Sequence, residues 1–316
     1  MVHSSLIVAV AAFASSVHGH YTFVRLAVNG KWHEPMQYVR NKTDNYWEAD
    51  TPGGYSNRPR DWNWWTAPTD KPESMRCGRD NMAWANQTDV LSVRTGDEFE
   101  FAHTSEPPSA WTDGTFNNCP DGRGTCKGSD PSQYPYYFHA GPVVVHISKV
   151  PEGKDAHTYD GSGEWVKIHT LGLEKRPNEA KPYIWLPRMG REPEDEYDPA
   201  RKPGRIIFKL PKETPKGQYL LRAASVWQAY RYTYENTTGV AGVAQLYHSC
   251  AQLEVASDVT GSLPKGVLIP EAFQYDQPGM NTSSEMALYQ KVDEDYTYPG
   301  GPLWNGKELV EDKPAL

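Results

Sequence analysis

Short runs of branched aliphatic and aromatic residues, each ended by a turn signal, fill this 316-residue chain, and no stretch sustains the periodicity of an amphipathic helix. The runs are Thr22–Val28, Val90–Val93, Glu98–Ala102, Pro142–Val150, Trp165–His169, Arg205–Leu210, Gln218–Ala223 and Gln252–Val255. Asn29-Gly30, Thr95-Gly96, Pro151-Glu152-Gly153, Asp160-Gly161 and Pro215-Lys216-Gly217 punctuate them. The 26 Gly and 26 Pro residues favour many turns over long helices. The pattern predicts an all-β fold, an antiparallel β-sandwich of the immunoglobulin/fibronectin-like kind with long decorated loops. Asp44–Pro72, Ser105–Pro135 and Leu171–Lys202 are the loops, and from Gly261 onward a Pro- and Tyr-rich tail is expected to wrap the sandwich as extended chain. There is no internal repeat and no linker to set off a second module.

The amino terminus reads as a secretory signal over residues 1–19. Leu6–Ala14 (LIVAVAAFA) is too short to span a bilayer and sits where a signal's apolar region belongs. Cleavage after Gly19 puts Val17 and Gly19 at the small-residue positions and makes His20 the first residue of a mature domain covering 20–316. A secreted, extracellular monomer without a membrane span is expected. Its four cysteines, Cys77, Cys119, Cys126 and Cys250, then read as disulfides. Cys119–Cys126 inside NNCPDGRGTCKG, with Cys77–Cys250 as a long-range staple, is the preferred pairing among those that four cysteines allow. Sequons at Asn41, Asn86, Asn236 and Asn281 fit a secreted glycoprotein. The net charge of -8 argues against nucleic acid as the main partner.

Cleavage before His20 creates two nitrogen donors on one residue, the α-amine and the ring Nδ1. One further imidazole completes a planar, T-shaped set of three nitrogens, which suits Cu(II). Among the ten histidines, His139 is the best candidate. It lies in Phe138-His139-Ala140-Gly141-Pro142, a turn leading into a strand; by spacing alone it need do no more than cap that turn. In Ala244-Gln245-Leu246-Tyr247-His248-Ser249-Cys250, alternation puts Gln245 and Tyr247 on one face and Leu246, His248 and Cys250 on the other. That places a phenol and an amide together, or describes an ordinary half-buried strand.

Taken in order, these segments resemble the fungal lytic polysaccharide monooxygenases of auxiliary activity family nine, formerly glycoside hydrolase family sixty-one. The matching blocks are His20-Tyr21-Thr22-Phe23 with Asn29-Gly30 after it, Met75-Arg76-Cys77, His139-Ala140-Gly141-Pro142, and Thr158-Tyr159-Asp160-Gly161-Ser162-Gly163 followed by Trp165-Val166-Lys167-Ile168. Gly217-Gln218-Tyr219-Leu220-Leu221-Arg222 and Gln245-x-Tyr247-x-x-Cys250-Ala251-Gln252 complete them. The resemblance implies one copper ion held by His20 and His139, with Tyr247 axial and Gln245 as hydrogen-bond partner of a bound oxygen species. It implies an external electron donor, O2 or H2O2 as co-substrate, and hydroxylation of C1 or C4 in cellulose or a related β-1,4-glycan. Tyr296, in a loop resembling the family's C-terminal Tyr-containing loop, is the preferred sugar-stacking ring, and Tyr21, flanking the copper, is the second substrate contact. The Trp62–Trp64–Trp65 cluster is expected to collapse into a small core. No separate carbohydrate-binding module is expected.

One departure bears on activity. The family commonly has a histidine after the Tyr-Leu-Leu-Arg strand; here Ala223–Tyr230 contains none, and Gln228 and Tyr230 are the candidates to replace it, neither an equivalent proton donor. The rival reading is therefore a copper- or glycan-binding homologue with impaired catalysis. A hydrolase would need two carboxylates flanking the scissile bond, and no motif pairs two of the 40 acidic residues.

Overall fold

The computed structural model describes residues 20–46, 59–112, 114–119, 121–125, 139–179, 181–188, 204–234, 237–241, 244–287 and 289–315, with backbone alone over 230–241. Residues 1–19, read above as a signal, together with Trp47, Cys126, Asn236 and the end of the Leu171–Lys202 loop, lie outside the described residues.

In chain order the strands are β1 Thr22–Val28, β2 Lys31–Trp32, β3 Leu91–Arg94, β4 Glu98–Thr104, β5 Val143–Lys149, β6 Val166–Leu171, β7 Leu173–Lys175 and β8 Tyr183–Trp185. They continue with β9 Ile206–Lys209, β10 Gly217–Trp227, β11 Ala229–Tyr234, β12 Thr237–Ala241, β13 Gln245–Ala256, β14 Asn281–Ser283, β15 Leu303–Trp304 and β16 Leu309–Val310. Each run expected from the sequence carries a strand. The helices α1 Pro72–Cys77, α2 Met82–Ala85 and α3 Ser284–Ala287 are short.

A four-stranded sheet, β2-β1-β4-β9, faces a seven-stranded one, β16-β15-β6-β5-β10-β13-β3. The pairing is mostly antiparallel, as expected, but β13·β3 and β15·β6 run parallel, so the larger sheet is mixed. Strand alternation builds the core between them. Phe23, Leu26, Phe99, Phe101 and Phe208 from the small sheet meet Val143, Val145, Leu221, Ala223, Tyr247 and Leu253 from the large one, all buried. The opposite face of the large sheet, with Val144, Leu220, Val226, Leu246 and Cys250, is covered by α1 and by Trp165 and Phe273. There the Cys77–Cys250 disulfide joins α1 to β13 across 173 residues, as predicted. Cys119 is also disulfide-bonded; its expected partner, Cys126, lies outside the described residues.

The C-terminal tail is more structured than an extended wrap. It adds β14–β16 and α3, and with β7 and β8 it closes a satellite core of Leu173, Trp185, Met286, Tyr289, Tyr296 and Tyr298. Among the sequons, Asn86 is exposed and Asn41 is half-buried, its Oδ1 accepting a hydrogen bond from the Trp62 indole at 2.8 Å. Asn281 Nδ2 donates to the Tyr275 carbonyl at 2.6 Å. No helix among the described residues is long and apolar enough to cross a membrane.

Candidate metal centre

At one end of the sandwich β1, β5 and β13 begin and β10 ends. The register aligns Val143, Ser225 and Tyr247 in one row across β5, β10 and β13, and sets Trp227 opposite Gln245. Residues opposite each other in register share a face, so Ser225, Trp227, Gln245 and Tyr247 form a floor. Tyr247 is 1% exposed. Its hydroxyl donates to Gln245 Oε1 at 2.6 Å. Burial, reinforced by neighbouring Tyr21, raises the Tyr247 pKa well above the ordinary phenol value, so the phenol stays protonated.

Two imidazoles stand around this floor. The His20 ring centroid lies 6.1 Å from that of Tyr247, and the His139 centroid 5.8 Å from it. His139 arrives through a glycine requirement. Gly141 has φ +141°, and a Cβ there would lie 1.9 Å from the Val226 carbonyl oxygen. Only glycine lets the loop run this close to β10, and Val226 N–H then donates to the Pro142 carbonyl at 2.9 Å. The approach lays His139 on Trp227, with centroids 4.1 Å apart and planes 8° apart.

His20 is held from the Trp-rich loop. Thr66 and Leu246 exchange backbone hydrogen bonds at 2.9 Å, which docks this loop on β13 between Gln245 and Tyr247. Arg79 Nη1 donates to the carbonyls of Trp64 and Trp65 at 3.0 Å, and Asn63 Nδ2 donates to the Ser105 carbonyl at 2.7 Å. Trp64 then stacks on His20, centroids 4.5 Å apart at 18°. Trp62, Trp64 and Trp65 are buried, so the expected collapse occurs; that one of these rings backs His20 was not legible in the sequence.

Burial pushes the His139 pKa down to about 3, helped by His20 and Arg188. The imidazole is therefore neutral near pH 7, the form in which a ring nitrogen can bind a metal. Among the described residues no group of three His, Cys, Asp or Glu side chains is placed to hold a metal. A centre here must draw a third donor from elsewhere, and the α-amine that cleavage would free on His20 is a donor of the right chemistry. The donor set fits a metal with nitrogen preference.

The substrate-stacking expectations need correction. Tyr21 and Tyr296 are 2% and 5% exposed. Tyr21 lies beneath Tyr247, centroids 4.4 Å apart, and burial raises its phenol pKa. Tyr296 is packed into the satellite core and accepts a hydrogen bond from Gln228 Nε2 at 2.6 Å. The Tyr296 phenol has a polar partner inside, which lets its ring bury, and at these exposures neither ring offers a face to a glycan. Gln228, considered as a replacement for the absent histidine, also donates to the Gly279 carbonyl at 2.5 Å and is committed away from the centre. The side chain of Tyr230 lies outside the described residues.

Two imidazoles beside a buried tyrosine at one end of a β-sandwich make up the candidate centre. Residues 20–296 match Auxiliary Activity family 9 (formerly GH61), and the chain belongs to that family, the lytic polysaccharide monooxygenases. It is 27% identical over 302 residues to AA9 family lytic polysaccharide monooxygenase D of Aspergillus tamarii, covering 95% of this chain and 86% of that protein. The structure resembles a glycoside hydrolase family 61 member, Cel61B from Hypocrea jecorina, with a TM-score of 0.52 at 16% identity, covering 90% of this chain and 100% of that one. It also resembles a cellulose-active polysaccharide monooxygenase from M. thermophila, with a TM-score of 0.50 at 18% identity, covering 91% and 100%.

Proposed function

We propose that the mature, secreted chain begins at His20 and is a copper-dependent polysaccharide monooxygenase acting at C1 or C4 of cellulose or a related β-1,4-glycan. The observation that carries this reading is the convergence of His20 and His139 on the buried Tyr247 from widely separated segments. Copper held there would supply the one-electron chemistry through which an external reductant and O2 or H2O2 hydroxylate the glycan.

The chain's own residues do the rest. The His20 and His139 rings, with the His20 α-amine, would hold the ion, and the neutral Tyr247 phenol lies beside both rings. Because Gln245 Oε1 is engaged by Tyr247, the group Gln245 has to offer a bound oxidant is its amide N–H. Ser225 and Tyr21 close the floor beneath Tyr247 and keep water from that side.

The test uses copper-loaded protein with His20 at its amino terminus, a reductant, and cellulose, xyloglucan or xylan, with mass spectrometry of released oligosaccharides. Oxidised products are expected; a chain that takes up no stoichiometric copper contradicts the reading. A second reading is favoured by the commitment of Gln228 to Tyr296 and Gly279. With no histidine between Ala223 and Ala229, loss of a positioned acid–base group would cost roughly 10²–10⁴-fold in rate, leaving a copper- or glycan-binding protein. Tight copper binding without oxidised products on any of the three glycans would select it.

A further inference from the structure

Each imidazole that flanks Tyr247 lies flat against a tryptophan: His139 on Trp227 at 4.1 Å and 8°, His20 on Trp64 at 4.5 Å and 18°. The arrangement matters because an imidazole turns about a broad terminal torsion. A ring at the end of a loop, such as His139, or at a chain terminus, as His20 would be, needs an outside constraint to keep its plane. A flat indole face in contact supplies one.

We propose that Trp227 and Trp64 are positioning residues that fix the planes of the two metal-binding imidazoles before the ion arrives. The proposal rests on reading the site as a copper centre. Both indoles are themselves anchored by backbone. Trp227 ends β10 in register with Gln245. Trp64 is carried by the loop docked through Thr66 on Leu246, with its carbonyl held by Arg79. Filling of the core does not explain Trp227. It is half-buried and lies outside the main hydrophobic clusters. Indole has no basic nitrogen to lend a metal, so its effect passes through His139. No specific pairing other than shape and stacking is required, so a smaller flat ring should serve where a branched chain of similar bulk should not.

The experiment compares mature protein with Trp227→Phe and Trp227→Leu variants, both confirmed as folded by thermal unfolding. It reads Cu(II) affinity by competition titration, the copper electron paramagnetic resonance spectrum, and, without metal, the chemical shifts of the His139 ring protons. The expected result is a roughly 10–100-fold loss of affinity in Trp227→Leu, the range that loss of a ligand-orienting neighbour costs. It should come with an altered spectrum and loss of the upfield ring-current shift, and Trp227→Phe should restore most of each. Wild-type affinity and an unchanged spectrum in Trp227→Leu would overturn the positioning role while leaving the copper reading intact. An unaltered mature chain that keeps the ring-current shift but binds no copper would overturn the copper reading itself, and the positioning role with it.

Discussion

His139 shows how a single residue's role depends on its neighbours. The His139-Ala140-Gly141-Pro142 motif was legible because it resembles a family pattern, but the reason for its glycine emerges from the fold. The 1.9 Å clearance between a Gly141 Cβ and the Val226 carbonyl means that Gly141→Ala must push the loop off β10. We expect this variant to lose about 1–3 kcal/mol of stability through strain at a positive φ, and to lose the ring-current shift of His139 as the stack on Trp227 opens. Thermal unfolding and nuclear magnetic resonance check both. His139→Ala should lower Cu(II) affinity by more than the roughly 10–100-fold typical of outer-sphere changes while the unfolding midpoint stays near wild type; competition titration decides. Trp64 and Trp227 could not be assigned from the sequence. Their closeness to His20 and His139 is set by the Thr66–Leu246 bridge and by the β10–β13 register, and neither has a local signature.

Among the elements, β13 carries Gln245 and Tyr247 of the site and is tied to the fold on several sides. It pairs with β10 along eleven registered positions from Gly217↔Val255 to Trp227↔Gln245, receives β3 in parallel, and is joined to α1 by Cys77–Cys250. Replacing both cysteines by serine should cost about 2–5 kcal/mol, because the link closes a long stretch of chain, and denaturant unfolding would measure it. If stability is unchanged, the staple is redundant with the strand register. The strands were readable where alternation and turn residues agreed. β11 and β12 were outside the expected set although Tyr-Arg-Tyr-Thr-Tyr in 230–234 alternates as a strand should. The helices α1 and α2 are too short to show periodicity, so no pattern announced them. Tyr296 was misjudged for a related reason: its loop motif is local, but its burial depends on β7, β8 and Gln228 meeting it from distant parts of the chain.

For the whole molecule, a buried and a half-buried histidine away from the candidate centre, His146 and His169, predict how stability responds to acid. His169 is pushed down to about 4 by burial, opposed by Asp312, and His146, with its Nε2 at 2.8 Å from the Gly300 carbonyl, is lowered well below the usual value by burial and by Arg222. The charged groups facing them include Lys167 as well. Between about pH 4 and 6.5 the unfolded chain protonates His169 while the folded chain does not. Stability therefore rises with pH across that window and falls as pH drops through it, by up to about 1.4 kcal/mol per pH unit for each such histidine. Unfolding midpoints measured from pH 7 to 4.5 should fall, and the fall should be shallower in His169→Asn; equal slopes would show that other groups dominate.

The C-terminal segment depends on a charge pair placed under it. Lys167, buried in β6, lies 2.7 Å from Asp312 and also donates to the carbonyls of Tyr298 and Pro299, at 3.2 and 3.0 Å. Asp312 Oδ2 accepts from Thr170 at 2.7 Å, and its carbonyl accepts from Tyr298 N–H at 2.8 Å. Desolvation lowers the Lys167 pKa while Asp312 acts to restore it, so removing the carboxylate leaves an ammonium buried without its counter-charge. Asp312→Ala should cost about 3–5 kcal/mol, the range for breaking a buried pair from one side. Adding Lys167→Met should recover part of that loss, because the stranded charge is gone, but not all of it, since the Tyr298 and Pro299 carbonyls lose their donor. Denaturant unfolding of the single and double variants separates these contributions. A double variant no more stable than Asp312→Ala would mean that the pair acts through the placement of the tail rather than through the buried charge.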